Sequence, residues 1–255
     1  MPLELVTIPC LSDNYAYLVH DPESGDTAVV DVPEAAPILA ALAARGWSLS
    51  EIWLTHHHAD HIDGVAELRA ATGAMVVGAA ADAHRLPPLD LALPEEGALT
   101  IGRVGVETFP VPGHTVGHIA FSLPSEHLVF TGDSLMAAGC GRLFEGSAAQ
   151  MWASLSRLAR LHPDTRVCSG HEYTASNIRF ALTLEPGNAA LILRAERVAG
   201  LRREGRPTLP VLLSEELATN PFLRANLPEM KAVIGLSHAT DAEAFAEIRA
   251  RKDRF

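Results

Sequence analysis

The sequence has few cysteines, few aromatic residues and no long apolar run. Of its 255 residues only three are cysteines, and aromatic residues make up 5%. Because Cys10, Cys140 and Cys168 are odd in number, widely spaced and form no Cys-x-x-Cys pair, free thiols in a reducing compartment are expected. No apolar stretch approaches the roughly 20 residues of a membrane span. The N-terminus, starting at Met1, lacks the pattern of a secretory signal. These absences predict a cytoplasmic protein without a membrane partner.

Basic charge is also scarce. Twenty Lys and Arg residues stand against 31 Asp and Glu, a formal net charge of −11. An acidic surface repels phosphate backbones, so a nucleic-acid partner is not expected. A small anionic ligand could still be bound by a local basic patch. Because 48% of the residues are hydrophobic, the chain can form one large core, or one large and one small domain.

The first two thirds of the chain read as strands and loops, interrupted by two helical patterns. Strand-like runs lie at residues 27–32, 51–54, 75–77, 104–109, 118–123, 128–130 and 166–168, and helical patterns at 33–45 and 64–72. After about residue 172 helical periods take over, at 174–184, 189–203 and 241–251, with Asp241 as a plausible N-cap. This change of texture places a boundary near residues 165–175. We therefore predict a metal-binding α/β domain at residues 1–170 and a helical substrate-binding domain at 171–255.

Residues 56–61, His-His-His-Ala-Asp-His, directly follow a strand-like run. Such a density of imidazole and carboxylate is costly in a core, and it suits the binding of two metal ions. Further candidate ligands follow other strand-like runs, and loops leaving strands can converge at one edge of a sheet. The predicted metal ligands are His56, His58, Asp60, His61, His114, Asp133 and His171.

These ligands divide into two sites. His56, His58 and His114 can hold one ion, Asp60, His61 and His171 the other, and Asp133 suits a bridge. Positions left open for water are typical of catalytic centres. Two divalent ions are expected, zinc first, with iron or manganese as alternatives. Either Asp60 or Asp133 could accept a proton from the attacking water, so both are predicted catalytic residues.

The sequence pattern is less informative about the roles of three further residues, His57, Asp31 and His118. His57 is expected to point away from the metals and to serve packing or support. Asp31 either buttresses a ligand histidine or is a plain turn residue. His118 is expected to be structural.

The pattern H-x-H-x-D-H followed by Gly-His, Gly-Asp and Gly-His resembles the metallo-β-lactamase superfamily. The resemblance implies an αββα sandwich with the metal site along one edge. A narrower resemblance, to glyoxalase II (the hydroxyacylglutathione hydrolases), covers nearly the whole chain. It rests on residues 139–146, 170–174, 219–224 and 249–255. That family adds a smaller helical C-terminal domain, and it cleaves S-D-lactoylglutathione to glutathione and D-lactate in methylglyoxal detoxification. The resemblance therefore implies attack on a glutathione thioester by a hydroxide bound to a dinuclear metal centre.

The resemblance also implies the glutathione contacts Arg142, Phe144, Tyr173, Arg249 and Lys252. Family members commonly have Lys where Arg142 stands and Tyr where Phe144 stands, so an altered glutathione affinity is expected. Arg249 and Lys252 are three apart on the last helix and share a face, as an exposed cationic patch would require.

Other functions are compatible with the metal motif. Lactone hydrolysis, cleavage of a tRNA precursor and persulfide dioxygenation are enzymatic alternatives, and a metal-binding interaction module is a non-enzymatic one. The helical C-terminal segment argues against the first two, and the complete ligand set argues against the last. A monomer is expected.

Overall fold

The computed structural model describes residues 1–255, which form two compact units. The first unit comprises Met1–Pro110 and Gly117–Gly132, and the second Val111–Val116 and Asp133–Phe255. Both units are discontinuous in sequence, so the domain boundary between residues 170 and 171 stays a prediction. No helix combines the length and apolar character that crossing a membrane requires.

The first unit contains ten strands and three α-helices. In chain order they are β1 (Glu4–Cys10), β2 (Asn14–His20), β3 (Thr27–Val30), α1 (Ala35–Arg45), β4 (Glu51–Trp53), α2 (Ala59–Ile62), α3 (Val65–Thr72), β5 (Met75–Ala79), β6 (Leu91–Leu93), β7 (Gly97–Ile101), β8 (Val104–Pro110), β9 (Ile119–Leu123) and β10 (Leu128–Gly132). Strands β1 to β6 form a sheet in sequence order, with antiparallel pairing from β1 to β3 and parallel pairing from β3 to β6.

Strands β7 to β10 pair antiparallel with their sequence neighbours and form a second layer of the first unit. Aromatic rings join the two layers: Trp53 of β4 stacks on Phe121 of β9 with centroids 5.3 Å apart. Tyr17 of β2 meets Phe130 of β10 at 5.6 Å. On the other side of the first sheet, Ile38 of α1 and Leu68 of α3 are fully buried in one cluster with Val29 and Ile52. The residues that leave β3 and β4 therefore start from a rigid scaffold.

The second unit is mostly helical. Its elements are β11 (Leu135–Met136), β12 (Gly139–Cys140), α4 (Ala148–Leu158), β13 (Arg166–Ser169), α5 (Thr174–Leu184), α6 (Ala189–Arg203), β14 (Val211–Leu212), α7 (Leu213–Thr219), α8 (Pro228–Val233) and α9 (Asp241–Arg254). Strands β11 and β12 form a hairpin, and β13 pairs antiparallel with β14. Ile178 and Ala181 of α5 pack with Leu191 and Val198 of α6.

The predicted helices at 174–184 and 189–203 are confirmed at both ends. The predicted strand 27–32 ends at Val30, because Asp31 adopts a left-handed φ of 56°. Asp241 as N-cap is wrong. Thr240 caps α9 in a capping box with Glu243, and the helix continues to Arg254.

The expectation of only two helices before residue 172 is also wrong, since α2 and α4 lie there as well. Helix α4 begins at a capping box in which Ser147 and Gln150 satisfy each other's backbone amides. The sequence carries that signal, Ser-x-x-Gln, directly before the helix.

Candidate metal centre

Asp31 and His56 leave the first sheet at the same edge, because β3 and β4 are parallel and Val30 lies beside Trp53. The backbone amide of Asp31 donates to the carbonyl of Trp53 at 2.9 Å. In return, the amide of Thr55 donates to Asp31 Oδ1 at 2.9 Å. Two reciprocal bonds thus hold the loop that starts the histidine motif.

Asp31 sets which nitrogen two of the histidines present. His61 Nδ1 lies 2.8 Å from Asp31 Oδ2. Thr55 Oγ1 donates to the same oxygen at 2.8 Å, so its lone pair can accept from His56 Nδ1 at 3.0 Å. With Nδ1 acting as the donor in both rings, Nε2 is left as the metal-binding atom. Of the two roles considered for Asp31, the structure therefore shows the histidine buttress.

His58 caps the start of α2, which carries Asp60 and His61. His56 Nε2 and His58 Nδ1 are 3.2 Å apart. Two nitrogens bound tetrahedrally to one ion at about 2.05 Å would lie about 3.3 Å apart, so this spacing suits a shared ion. Asp60 Oδ2 lies 3.8 Å from His61 Nε2 and accepts a 3.0 Å hydrogen bond from the buried Asn14 side chain. Asn14 is a supporting residue that sequence analysis missed.

His57 and His118 support this group of ligands. His57 Nδ1 lies 2.9 Å from the buried carboxylate of Asp82. The His57 ring therefore pairs with Asp82 and serves as a supporting residue, as expected. His118 is fully buried and stacks on the His56 ring at a centroid distance of 4.6 Å. The expectation of a structural role for His118 is confirmed, and that role is to fix the plane of a predicted ligand.

In the second unit, two histidines face one carboxylate oxygen. Asp133 Oδ2 lies 3.5 Å from His114 Nε2 and 3.2 Å from His171 Nε2. All three side chains are buried. Both distances fit neighbouring ligands of a common ion, by the same tetrahedral estimate of about 3.3 Å. Because both histidine nitrogens lie near the same oxygen, Asp133 Oδ2, this carboxylate suits the predicted role of a bridge between two ions.

Each of these histidines is held by its surroundings. His114 Nδ1 lies 2.9 Å from the carbonyl oxygen of Arg142, which again leaves Nε2 for a metal. His171 follows β13, and the Tyr173 ring stacks on it at 4.7 Å with planes 7° apart. Between them, the Glu172 carboxylate accepts from the backbone amide and the hydroxyl of Thr208. These bonds fix the turn that carries His171.

The seven predicted ligands thus fall into two groups, four in the first unit and three in the second. Every group offers nitrogen and oxygen donors, which suit zinc, iron or manganese. No cysteine belongs to the groups of side chains whose donor atoms converge, and burial raises the pKa of Cys140 to about 11 and that of Cys168 further. The donor set therefore fits divalent metal ions.

The predicted glutathione contacts differ in exposure. Arg142 is exposed, Phe144 is 63% exposed with its ring edge against His114, and Tyr173 is 39% exposed. Arg249 is only 5% exposed; it donates to the Cys140 carbonyl at 3.0 Å and pairs with Asp253. The expectation that Arg249 forms an exposed patch with Lys252 is wrong, because α9 turns the arginine inward; its part in substrate binding stays a prediction.

Lys252 is less buried than Arg249 and lies among several cationic side chains. It is half-buried over the rings of Phe180, at 5.5 Å, and Phe255, at 5.2 Å. Burial, and then the positive charges of three arginines, lower its pKa; these are Arg249, Arg179 and Arg142. Arg179 of α5 is exposed and was missed from the sequence, although it is the one basic residue of that helix.

Two family models together match residues 12–255. The model of the metallo-β-lactamase superfamily matches residues 12–171, and that of the hydroxyacylglutathione hydrolase C-terminus matches 172–255. A solved structure, the BLEG-1 B3 metallo-β-lactamase, superposes with a TM-score of 0.67 at 22% identity, covering 86% of this chain and 99% of that one. The fold and the site thus define a metallo-β-lactamase-fold hydrolase, α/β with a helical C-terminal domain.

Proteins with similar sequences identify the family within this class. A hydroxyacylglutathione hydrolase of Cereibacter sphaeroides is 65% identical over the full length of both chains. The solved protein TTHA1623, in a di-iron-bound form, is 33% identical, with a TM-score of 0.56, over 66% of this chain and 91% of that one. The chain belongs to the hydroxyacylglutathione hydrolase family.

Proposed function

We propose that the protein hydrolyses S-D-lactoylglutathione, and related S-2-hydroxyacylglutathiones, to glutathione and the free hydroxy acid. Full-length similarity to hydroxyacylglutathione hydrolases supports the substrate class. The observation that carries the chemistry is the orientation of the histidines. Asp31, Thr55 and the Arg142 carbonyl occupy the Nδ1 atoms of His61, His56 and His114, so that each ring offers Nε2 to a metal.

The residues proposed to hold two divalent ions, zinc first, are His56, His58, Asp60, His61, His114, Asp133 and His171. When bound, such a pair of ions supplies Lewis-acid polarisation of a carbonyl and a water of lowered pKa. The di-iron form of TTHA1623 supports iron as an alternative in this family of folds.

The chain itself handles protons with carboxylates. Asp60, oriented by Asn14, and Asp133, faced by two histidines, are the groups proposed to accept a proton from the attacking water. The leaving group is a thiolate, whose conjugate thiol has a pKa near 8.5, so it departs without a strong acid beside it. Hydrolysis breaks the C–S bond, adds the water oxygen to the acyl carbon and returns a proton to the thiolate from solvent.

Cationic side chains are proposed to bind the carboxylates of glutathione. Arg142 and Arg179 are exposed, and neither guanidinium has a hydrogen bond or ion pair within the protein. On a chain of net charge −11, cations without acidic partners are suited to an anionic ligand. Lys252 belongs to the same group. Tyr173 and Phe144 contribute ring surface beside His171 and His114.

A substrate panel on metal-replete protein tests the proposal. The compounds are S-D-lactoylglutathione, an acyl-homoserine lactone, a β-lactam, a tRNA precursor and glutathione persulfide, the last with an oxygen electrode. We expect thioester cleavage without oxygen uptake, abolished by a chelator and restored by divalent metal. Oxygen-dependent turnover of the persulfide, with none of the thioester, would reject the hydrolase assignment for this substrate.

A further inference from the structure

The β11–β12 hairpin (Leu135–Cys140) accepts and donates several hydrogen bonds with side chains of the helical part of the second unit. Met136 pairs with Gly139, and the turn between them contains Ala138 at a left-handed φ of 54°. A left-handed φ is strained for an alanine, and such a conformation persists only where surrounding contacts hold the backbone in place. The contacts around the hairpin show which residues hold Ala138 in this conformation.

Four side chains bond to the backbone of this hairpin, three from helices and one, Asn220, from the residue that follows α7. Asn220 Nδ2 donates to the carbonyls of Met136 and Gly139, at 3.2 and 2.9 Å. Asn177 of α5 donates to the carbonyl of Ala137 at 3.0 Å. The remaining two contacts are Glu216, which accepts from the Ala138 amide at 2.9 Å, and Arg249, which donates to the Cys140 carbonyl at 3.0 Å.

Asn220 is itself fixed in orientation. The backbone amide of Phe222 donates to Asn220 Oδ1 at 3.0 Å, which identifies the other terminal atom as the donor nitrogen. That nitrogen also lies 2.8 Å from Glu216 Oε2. Glu216 is fully buried and forms an ion pair with the buried Arg194. The network is therefore built around Asn220 and the hairpin.

The two ends of the hairpin lead to the predicted ligands. Asp133 lies two residues before Leu135, and the amide of Gly141 donates to the Ser134 carbonyl at 3.1 Å. A side chain at Gly141 would overlap the backbone oxygen of Asp133 and approach His114 Nδ1 to 2.9 Å. Arg142, whose carbonyl receives His114 Nδ1, lies two residues after Cys140. A shift of the hairpin would therefore move one ligand and the acceptor that orients another.

We propose that Asn220, held by Glu216, is a positioning residue for the metal centre: through the hairpin it sets the Asp133 carboxylate and the tautomer of His114. The inference rests on the proposed function, in which Asp133 and His114 are metal ligands. It gives the motif of residues 219–224 a role, since Asn220 is its only fully buried amide side chain.

The test compares Asn220→Ala with Asn188→Ala. Asn188 makes matched contacts, accepting from the Leu191 amide at 3.2 Å and donating to the Ala218 carbonyl at 3.0 Å, but it does not touch the hairpin. Zinc affinity is measured by competition with a chromophoric chelator, at a temperature where circular dichroism shows each protein fully folded. The visible spectrum of the cobalt-loaded protein reports ligand geometry. Glu216→Gln, which keeps the side-chain shape but removes the charge that pairs with Arg194, is the second variant.

We expect Asn220→Ala to weaken the binding of at least one ion by about 10- to 100-fold, the range for removing support from a metal ligand, and to alter the cobalt spectrum. Asn188→Ala should bind as the wild type does. If Asn220→Ala does not fold, a smaller loss in Glu216→Gln supports the proposal and wild-type affinity in Glu216→Gln overturns it. Equal affinities in the wild type and both asparagine variants, or equal losses in the two variants, overturn the positioning role alone. A wild type that binds fewer than two ions overturns the proposed metal centre, and this inference with it.

Discussion

His61 Nδ1 lies 2.8 Å from Asp31 Oδ2, and both side chains are almost completely buried. The same carboxylate also binds the amide and the hydroxyl of Thr55, and so reaches His56. One residue, placed by the end of a parallel strand, thus orients two predicted ligands.

Asp31→Asn should reduce zinc affinity and thioesterase activity by about 10- to 100-fold, as loss of an outer partner of metal-binding histidines does. The amide has one acceptor oxygen where three donors now share two, and its nitrogen cannot accept a hydrogen bond. Chelator competition and steady-state kinetics measure the two effects. Asp21→Asn is the control, because Asp21 is a buried loop carboxylate that accepts from the Glu23 amide in the same unit. If Asp31→Asn bound zinc like Asp21→Asn, Asp31 would be a turn residue only.

Asp133→Ala should lose metal and activity together. Its Oδ2 atom is approached by His114 and His171, so its removal takes away the proposed bridge between two ions. Elemental analysis of the wild type should give close to two transition-metal ions per chain, and of the variant fewer. A variant with full metal and full turnover would remove Asp133 from the ligand set.

The sequence predicts some parts of the fold and of the candidate site better than others. The predicted ligand histidines stand out because six consecutive residues carry most of them, and the family pattern predicts the fold. The role of Asp31 stayed open, because a single Asp beside a strand end has the same sequence signal as a turn residue. Only the parallel pairing of β3 with β4 brings it to His61.

Arg249 shows the opposite case. Helical spacing places it on one face with Lys252, but spacing does not say what that face packs against. In the folded chain Arg249 lies over the Phe222 ring at 5.1 Å and reaches the hairpin, while Lys252 lies over Phe180 and Phe255. In the sequence Asn220 stands out only as part of the motif 219–224, because its hairpin partners Met136 and Gly139 lie about 80 residues away.

The cysteines should be inert towards thiol reagents in the native protein. Burial raises the pKa of Cys10 and of Cys140 to about 11, and for Cys140 it outweighs the opposing charge of Arg249. Relative to a thiol with its ordinary pKa of 9.0, the thiolate fraction at pH 8 falls roughly 100-fold. Ellman's reagent at pH 8 should therefore find no rapidly reacting thiol in the native state and three in denaturant. A fast native thiol would contradict this burial.

The same shift predicts a pH dependence of stability. A thiol whose native pKa is raised keeps its proton when the unfolded chain has lost it. Its contribution to the free energy of unfolding is therefore complete below about pH 8.5 and is lost as pH rises to about 11. Cys140→Ala should lose stability less steeply over this range than the wild type. Thermal melts at several pH values measure the slopes, and identical slopes would contradict the assignment.

Lys252→Ala and Arg179→Ala should mainly raise KM for S-D-lactoylglutathione, by roughly 3- to 100-fold, with kcat changed less. A contact to a remote carboxylate acts alike on the ground and transition states, and one exposed ion contact contributes about 0.5–3 kcal/mol. A thioester without the glutathione carboxylates is the control, and its KM should not respond. Because burial and neighbouring cations lower the pKa of Lys252, wild-type KM should also rise at a lower alkaline pH than an ordinary lysine would cause.

Arg249→Ala should behave differently from Lys252→Ala. Removing Arg249 leaves the Cys140 carbonyl without its donor and exposes the Phe222 ring, so a fall in melting temperature is expected as well as a change in kinetics. Lys252→Ala, which loses a half-buried cation of lowered pKa, should cost little stability and act on KM. Parallel thermal melts and kinetics on both variants separate the two roles. A pure KM effect in Arg249→Ala, with an unchanged melting temperature, would contradict the structural role given to Arg249 and leave it with substrate binding alone.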